Sequence, residues 1–191
     1  MTGVFINYRT GDASYAVGLI DQRLCREFGA GQIFRDRRSM RPGTDFPPEL
    51  SRQLKRSNVL LALIGPNWLT ISDSSGARRL DNPKDYVRME IRRALKRSIE
   101  VIPVLLAGAP LPKADQLPGD IAALHRRQSF ELRDHSSDQD LAQLVEVLVE
   151  HVPSPPRTSS PASNGRHSSV NIRAKRLDIE GPITGGDSFG R

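Results

Sequence analysis

The chain has 191 residues, of which 37% are hydrophobic and 26% charged, a composition typical of one soluble globular domain with a polar extension. Its longest apolar run, Val59–Ile64, is far shorter than the roughly 20 residues that cross a bilayer, and its single cysteine, Cys25, excludes an internal disulfide or a cysteine metal cluster. The net charge of +6 comes from short basic pairs between acidic residues, so we expect neither a nucleic-acid partner nor a membrane.

Hydrophobic periodicity divides the first 152 residues into alternating strands and helices. In chain order, the predicted strands are Val4–Ile6, Gln32–Phe34, Asn58–Ile64, Val101–Leu106 and Gln128–Leu132. The predicted helices are Ser14–Phe28, Phe46–Leu54, Pro83–Ser98, Pro118–Leu124 and Asp138–His151. Asp81 or Asn82 is the expected cap of the third helix, because Pro83 suits a first helical position.

This alternation predicts an α/β fold of the flavodoxin-like type: three layers, with a five-stranded parallel sheet and helices on both faces. In such folds ligands bind at the carboxyl ends of the strands, in the loops that follow them. The loops of interest are therefore Asn7–Ala13, Arg35–Asp45 and Gly65–Asn82.

The composition changes after Val152, which divides the chain into a domain at 1–152, a linker at 153–169 and a tail at 170–191. The linker holds four Pro and six Ser with almost nothing apolar, so we expect it to be disordered. Alternating residues in the tail, at Val170–Ala174 and Leu177–Ile179, are typical of a homotypic β-motif that recruits a partner protein or further copies of the chain. A disordered tail is the alternative.

Two of the loops carry cationic groups. Arg9 in the first loop suits a phosphate or a ribose, although the loop also reads as a plain turn with Asp12 as a helix cap. The second loop places four Arg around the Pro42–Gly43 turn, which suits a phosphate or an acidic partner as well as a solvated loop.

The third loop leads to a carboxylate at the edge of a predicted core. Tyr86 and Glu90 are four residues apart and share one flank of a helix, beside the apolar stripe through Val87 and Ala94. A carboxylate in this place can stabilise positive charge that develops on a sugar ring. The alternative is a surface glutamate paired with Arg93 or with another nearby cation.

Four segments in this order resemble a Toll/interleukin-1 receptor (TIR) domain of the bacterial type, over Val4 to about Val152. The segment Phe5–Arg9 is similar to the first box of the family, with Asn7 in place of the usual Ser. The strand and "BB" loop of the family match Phe34–Asp36 and Met40–Gly43. The remaining two matches are Ile64–Leu69 and Asp85–Ile91, the latter with Tyr86 where Trp is usual.

The resemblance implies an NAD+ nucleosidase, which cleaves the nicotinamide–ribose bond to give nicotinamide and ADP-ribose or a cyclic isomer. NAD+ is then a substrate, and no cofactor or metal is implied. Glu90 would be the catalytic residue. The implied substrate contacts are Tyr8, Arg9, Phe34, Asp36, Tyr86 and Trp68, the last with an alternative role as a loop anchor. The implied assembly loop comprises Arg41, Pro42, Gly43, Asp45 and Phe46.

Other family members are non-catalytic scaffolds that signal through TIR–TIR contacts, and this is the alternative function. A phosphoacceptor receiver domain is excluded because the third predicted strand ends in Ile64-Gly65-Pro66 without an Asp. A nucleoside-exchanging enzyme of similar fold stays open. The resemblance also implies self-association and a role in defence or cell-death signalling. Since nothing before Val4 looks like a leader, we expect a cytoplasmic protein.

Overall fold

The computed structural model of the chain describes residues 3–12, 14–35, 52–133 and 137–153. The strands in these ranges are β1 (Val4–Asn7), β2 (Ile33–Arg35), β3 (Val59–Ile64), β4 (Glu100–Leu106) and β5 (Phe130–Leu132). The helices are α1 (Ser14–Phe28), α2 (Tyr86–Lys96) and α3 (Ser137–Val149), and residues 52–56 are also helical. The described strands form a five-stranded parallel sheet in the order β2-β1-β3-β4-β5, which confirms the predicted flavodoxin-like fold.

Successive residues of each strand point to opposite faces of the sheet and enter different apolar cores. On one face, Val4 and Ile6 of β1 pack in a core with residues of α1 and α3, such as Ile20 and Leu144. On the other face, Phe5 packs in a core with residues of α2. Every residue of β3 is buried, as expected for an apolar strand with helices on both sides.

The predicted start of α2 is wrong by about one turn. Asp85, rather than Asp81 or Asn82, is the N-cap, because its carboxylate accepts a hydrogen bond from the Arg88 N–H at 3.1 Å. Asn82 closes a separate turn by accepting from the Lys84 N–H at 2.9 Å. Pro83 therefore lies in a turn before the helix.

The short helix predicted from Pro118 to Leu124 is also wrong. The chain instead forms 3-10 turns at Ala114–Gln116 and Ala122–Arg126. Bonds from the Ile121 N–H to Pro118 O and from the Leu124 N–H to Ile121 O span three residues, the spacing of a 3-10 turn. The other predicted elements agree with the observed bounds within two residues, except that the helix predicted at Phe46–Leu54 lies mostly outside the described residues.

The domain is described as far as Pro153, and Val152 is fully buried in the core beside α1 and α3. The predicted linker beyond Pro153 and the predicted tail at 170–191 lie outside the described residues. Among the helices of the described ranges, none has the length and apolar character that crossing a membrane requires.

Candidate functional site

The end of β1 presents polar side chains toward α2. Phe5 lies in the core on that side of the sheet, and Asn7 and Arg9 follow at the same two-residue spacing. Both are buried, and both make hydrogen bonds to α2 or to its cap. The alternation that places Phe5 in the core thus carries two polar groups to the carboxyl edge of the sheet.

Asn7 joins β1 to Glu90. Its Nδ2 donates to Glu90 Oε2 at 2.6 Å and to the Val87 carbonyl oxygen at 3.3 Å. Glu90 is only 2% exposed. A carboxylate at such depth requires hydrogen-bond donors, because its charge has lost most of its hydration. Glu90 is therefore a desolvated carboxylate held beside the end of β1, and not the surface residue of the alternative interpretation.

Arg9 joins the loop after β1 to the cap of α2. Its Nη1 and Nη2 donate to the two carboxylate oxygens of Asp85 at 3.0 and 2.9 Å, and both side chains are buried. The more exposed Arg79 approaches Asp85 at 3.8 Å. Because Asp85 also caps α2, this bidentate ion pair fixes the end of the helix that carries Glu90.

Asp12 ties the first loop to the third, a contact that sequence reasoning missed. Its Oδ2 accepts from the Gly65 N–H at 2.9 Å and its Oδ1 from the Asn67 N–H at 3.0 Å, whereas the sequence offered it as a cap of α1. A Cβ on Gly65 would stand 2.5 Å from Asp12 Oδ1, so a larger residue there would displace the Asp12 carboxylate. The glycine directly after β3 was the available signal for this close approach.

The predicted substrate contacts fall in different surroundings. Tyr86 lies one turn before Glu90 on α2 and is 40% exposed, and Phe34 lies in the core on the same side of the sheet. Tyr8 packs on the opposite side, against the core of α1 and α3, with the Arg35 guanidinium 6.0 Å from its ring. Phe34, Tyr86, Arg9 and Trp68 therefore lie on the same face of the sheet as Glu90, and Tyr8 lies on the other.

Two of the predicted contacts belong to the protein interior. The Arg9 guanidinium is bound by Asp85, and Trp68 is buried with its ring centre 6.0 Å from that guanidinium. Trp68 thus has the surroundings of its alternative role, an anchor for the loop after β3. Arg9 acquires a structural role that the sequence did not indicate. The roles predicted for Asp36 and for the assembly loop concern residues outside the described ranges, namely Asp36, Arg41, Pro42, Gly43, Asp45 and Phe46.

The other face of the sheet holds a mainly apolar cleft of about 330 Å³ at the carboxyl ends of β4 and β5. Leu19, Leu106 and Leu132 line it, together with Tyr15 and Arg133. Cys25 of α1 is partly buried, and burial together with the nearby Asp21 carboxylate raises the pKa of its thiol. In the described residues, no group of three or more His, Cys, Asp or Glu side chains could hold a metal ion.

The strand order and the position of the site identify a class of α/β domain. A parallel sheet of order β2-β1-β3 reverses its winding between β1 and β3, and α/β domains of this class bind ligands in the crevice at that point. The contact between Asn7 and Glu90 lies at the carboxyl end of β1, one of the strands that border the crevice.

Comparison with known proteins places the chain within this class. The family model for the TIR domain matches residues 4–146, and the chain belongs to the TIR domain family. The TIR domains of the activated Roq1 resistosome, which directly recognises the pathogen effector XopQ, superpose with a TM-score of 0.58 at 14% identity. The TIR domain of the Toll-related receptor TRR-2 from Hydra magnipapillata gives 0.53 at 16% identity. Each match covers 78% of this chain and 99% of the other. The search of curated proteins gives no match.

Proposed function

We propose that this TIR domain is an NAD+ nucleosidase that cleaves the bond between nicotinamide and ribose, with Glu90 as its catalytic residue. The observation that carries the proposal is the buried Glu90 carboxylate, held at the carboxyl end of β1 by the Asn7 amide at 2.6 Å. The position agrees with the crevice in which this fold class binds its ligands.

Cleavage of NAD+ requires a group that stabilises positive charge more than it requires a proton donor. Nicotinamide in NAD+ carries a positive charge, so when the bond from C1′ to nitrogen breaks, both electrons go to the ring and nicotinamide leaves neutral. The ribose is left as an oxocarbenium-like cation. A carboxylate with little hydration stabilises that cation more strongly than one in bulk water. Water then attacks C1′ and loses a proton to give ADP-ribose, or an adenine nitrogen attacks to give the cyclic product.

One aromatic side chain near Glu90 suits a planar base, since Tyr86 presents a partly exposed ring one turn away on the same helix. Phe34, which the proposal also takes as a substrate contact, is buried with its ring against Gly3, just before β1. The predicted contact of Asp36 and the predicted assembly loop complete the proposal. The likeness to the TIR domains of an activated resistosome supports activation by self-association in immune signalling. Recruitment through the tail at 170–191 is part of the same proposal.

A second candidate function is a non-catalytic scaffold that signals through TIR–TIR contacts. The observation in its favour is the depth of Glu90, since a side chain that is 2% exposed must gain access to the ribose before it can act. The same depth would also suit a purely structural carboxylate that bridges α2 and β1.

The two functions separate in an assay of the full chain with NAD+. Nicotinamide, ADP-ribose and cyclic product are resolved by chromatography at rising protein concentrations, up to conditions that force assembly. Glu90→Gln is compared with Glu100→Gln, which makes the same change on β4 at a partly exposed residue paired with Arg127.

We expect release by the wild type and by Glu100→Gln, and no release by Glu90→Gln. Equal release by all three proteins would remove Glu90 from the mechanism. An inactive wild type under assembling conditions would favour the scaffold.

A further inference from the structure

We propose that Asn7 is a positioning residue for this reaction: its side-chain amide holds the Glu90 carboxylate in the orientation that the ribosyl cation requires. The inference rests on the proposed NAD+ cleavage and adds to it a residue that controls the rate from β1. Asn7 acts on the carboxylate, and the carboxylate acts on the substrate.

The first support is the orientation of the amide. The two atoms that face its Nδ2, Val87 O and Glu90 Oε2, are both acceptors of hydrogen bonds. An amide turned by half a rotation would set its own oxygen against these two oxygens, which is repulsive. The backbone carbonyl of α2 therefore fixes the amide, and the second amide proton then fixes the carboxylate.

The second support is the rigidity of what holds the amide. Asn7 is fully buried and is the last residue of β1, paired with Ala62 of the central strand β3. The helix that carries Glu90 is held against the same segment by the ion pair of Arg9 with Asp85. A group supported on both sides by regular elements keeps its geometry better than one on a loop.

The third support is the need of the reaction for a carboxylate of fixed orientation. Stabilisation of a developing charge depends on a group that is already in place when the charge forms. A glutamate side chain has three rotatable bonds, and a hydrogen bond to its carboxylate narrows the orientations that it adopts. The charge-assisted bond of 2.6 Å from Asn7 contributes such a restraint.

The test compares Asn7→Ala and Asn7→Ser with Asn58→Ala in the full chain. Asn58 lies at the opposite end of the sheet, directly before β3, and its Nδ2 also donates to a backbone carbonyl, that of His151 at 2.8 Å. The control therefore removes a comparable hydrogen bond far from Glu90. Steady-state kinetics of nicotinamide release are measured on each variant at a temperature where circular dichroism shows it folded.

For Asn7→Ala we expect kcat to fall about 10- to 100-fold with KM changed by less than about 3-fold, because substrate binding persists while the carboxylate loses its orientation. Asn7→Ser keeps a hydroxyl donor and should recover part of that loss. Asn58→Ala should lower thermal stability and leave kcat unchanged. A kcat for Asn7→Ala equal to that of the wild type would overturn the positioning role alone, whereas a wild type without release would overturn the proposed function as well.

Asn7→Asp provides the test if Asn7→Ala does not fold. This variant keeps the shape of the side chain but sets a second carboxyl group against Glu90, and when one of two carboxyl groups in contact is ionised, the pKa of the other rises. The acid limb of the pH profile of kcat should move upward by at least about one pH unit. An unshifted profile would show that residue 7 does not act on Glu90.

Discussion

The two faces of the sheet use the same strands for different purposes. Toward α1 and α3, β1 contributes Val4 and Ile6 to an apolar core. Toward α2, it contributes Phe5, and then Asn7 and Arg9 bind Glu90 and Asp85. The residues on the first face therefore contribute to the stability of the domain, whereas those on the second contribute both to stability and to the geometry of the candidate site. Substitutions on the two faces should differ in whether a loss of stability is accompanied by a loss of activity.

The largest effect is expected at the buried ion pair of the α2 face. Removal of one partner, in Arg9→Met or Asp85→Asn, leaves a buried group without its counterpart and should lower the free energy of unfolding by about 3–5 kcal/mol. Urea denaturation of the full chain measures this. The double variant should lose less than the sum of the two single variants, because neither partner then stays buried alone. Strict additivity would show that the pair is not coupled.

A core substitution on the opposite face tests the separation directly. Leu144 of α3 is fully buried in the core with α1, so Leu144→Ala should lower the free energy of unfolding by about 2–5 kcal/mol. Nicotinamide release per folded molecule should stay at the wild-type value. A drop in kcat like that expected for Asn7→Ala, at a temperature where the variant is folded, would mean that both faces support the site.

A substitution at Gly65 tests the packing between the loops that follow β1 and β3. In Gly65→Ala the added methyl group meets the Asp12 carboxylate, and the displaced loop should cost about 1–3 kcal/mol of unfolding free energy. Gly18 in α1 is the matched control, because nothing lies within 4 Å of its added Cβ. Gly18→Ala should raise stability by about 0.5–1 kcal/mol through helix propensity. Thermal melts of the two variants that move in the same direction would contradict this account.

The smallest effect is expected at an exposed ion pair. The hydrogen bond from Arg78 lowers the pKa of Asp81 below its ordinary value. A lowered folded-state pKa contributes stability above the unfolded pKa, and this contribution disappears as the pH falls through the folded pKa. The urea midpoint of Asp81→Asn should therefore be slightly lower than that of the wild type at neutral pH, and the two midpoints should converge in acid. A difference that grows in acid would contradict the direction of this pKa shift.

Much of the fold could be predicted because it rests on local patterns. The unbroken apolar run of β3 and the helical spacing in α1 predicted the bounds of these two elements to within one residue. The start of α2 was missed because Asn82 and Pro83 give a strong local capping signal. The observed cap at Asp85 is favoured in addition by Arg9, which is 76 residues away in sequence.

The candidate site was predictable in part. The spacing of Tyr86 and Glu90 placed the carboxylate beside the apolar stripe of its helix, next to Val87. Its partner Asn7 is 83 residues distant, and no local pattern reports such a contact. The alternation of β1, continued past Asn7, could have separated Tyr8 from Arg9, because neighbouring residues of an extended chain face opposite sides of the sheet.

In the segment from Val4 to Arg9, the number of residues matters more than the identity of any one side chain. The odd-numbered members of the segment, Phe5, Asn7 and Arg9, all point toward α2, while Val4 and Ile6 point away. Deletion or insertion of a single residue inside it would invert that assignment and bring isoleucine to Glu90 and asparagine to the apolar core. Circular permutants or chimeras of this domain should therefore keep the segment whole and place their junctions in the exposed turn at residues 73–76.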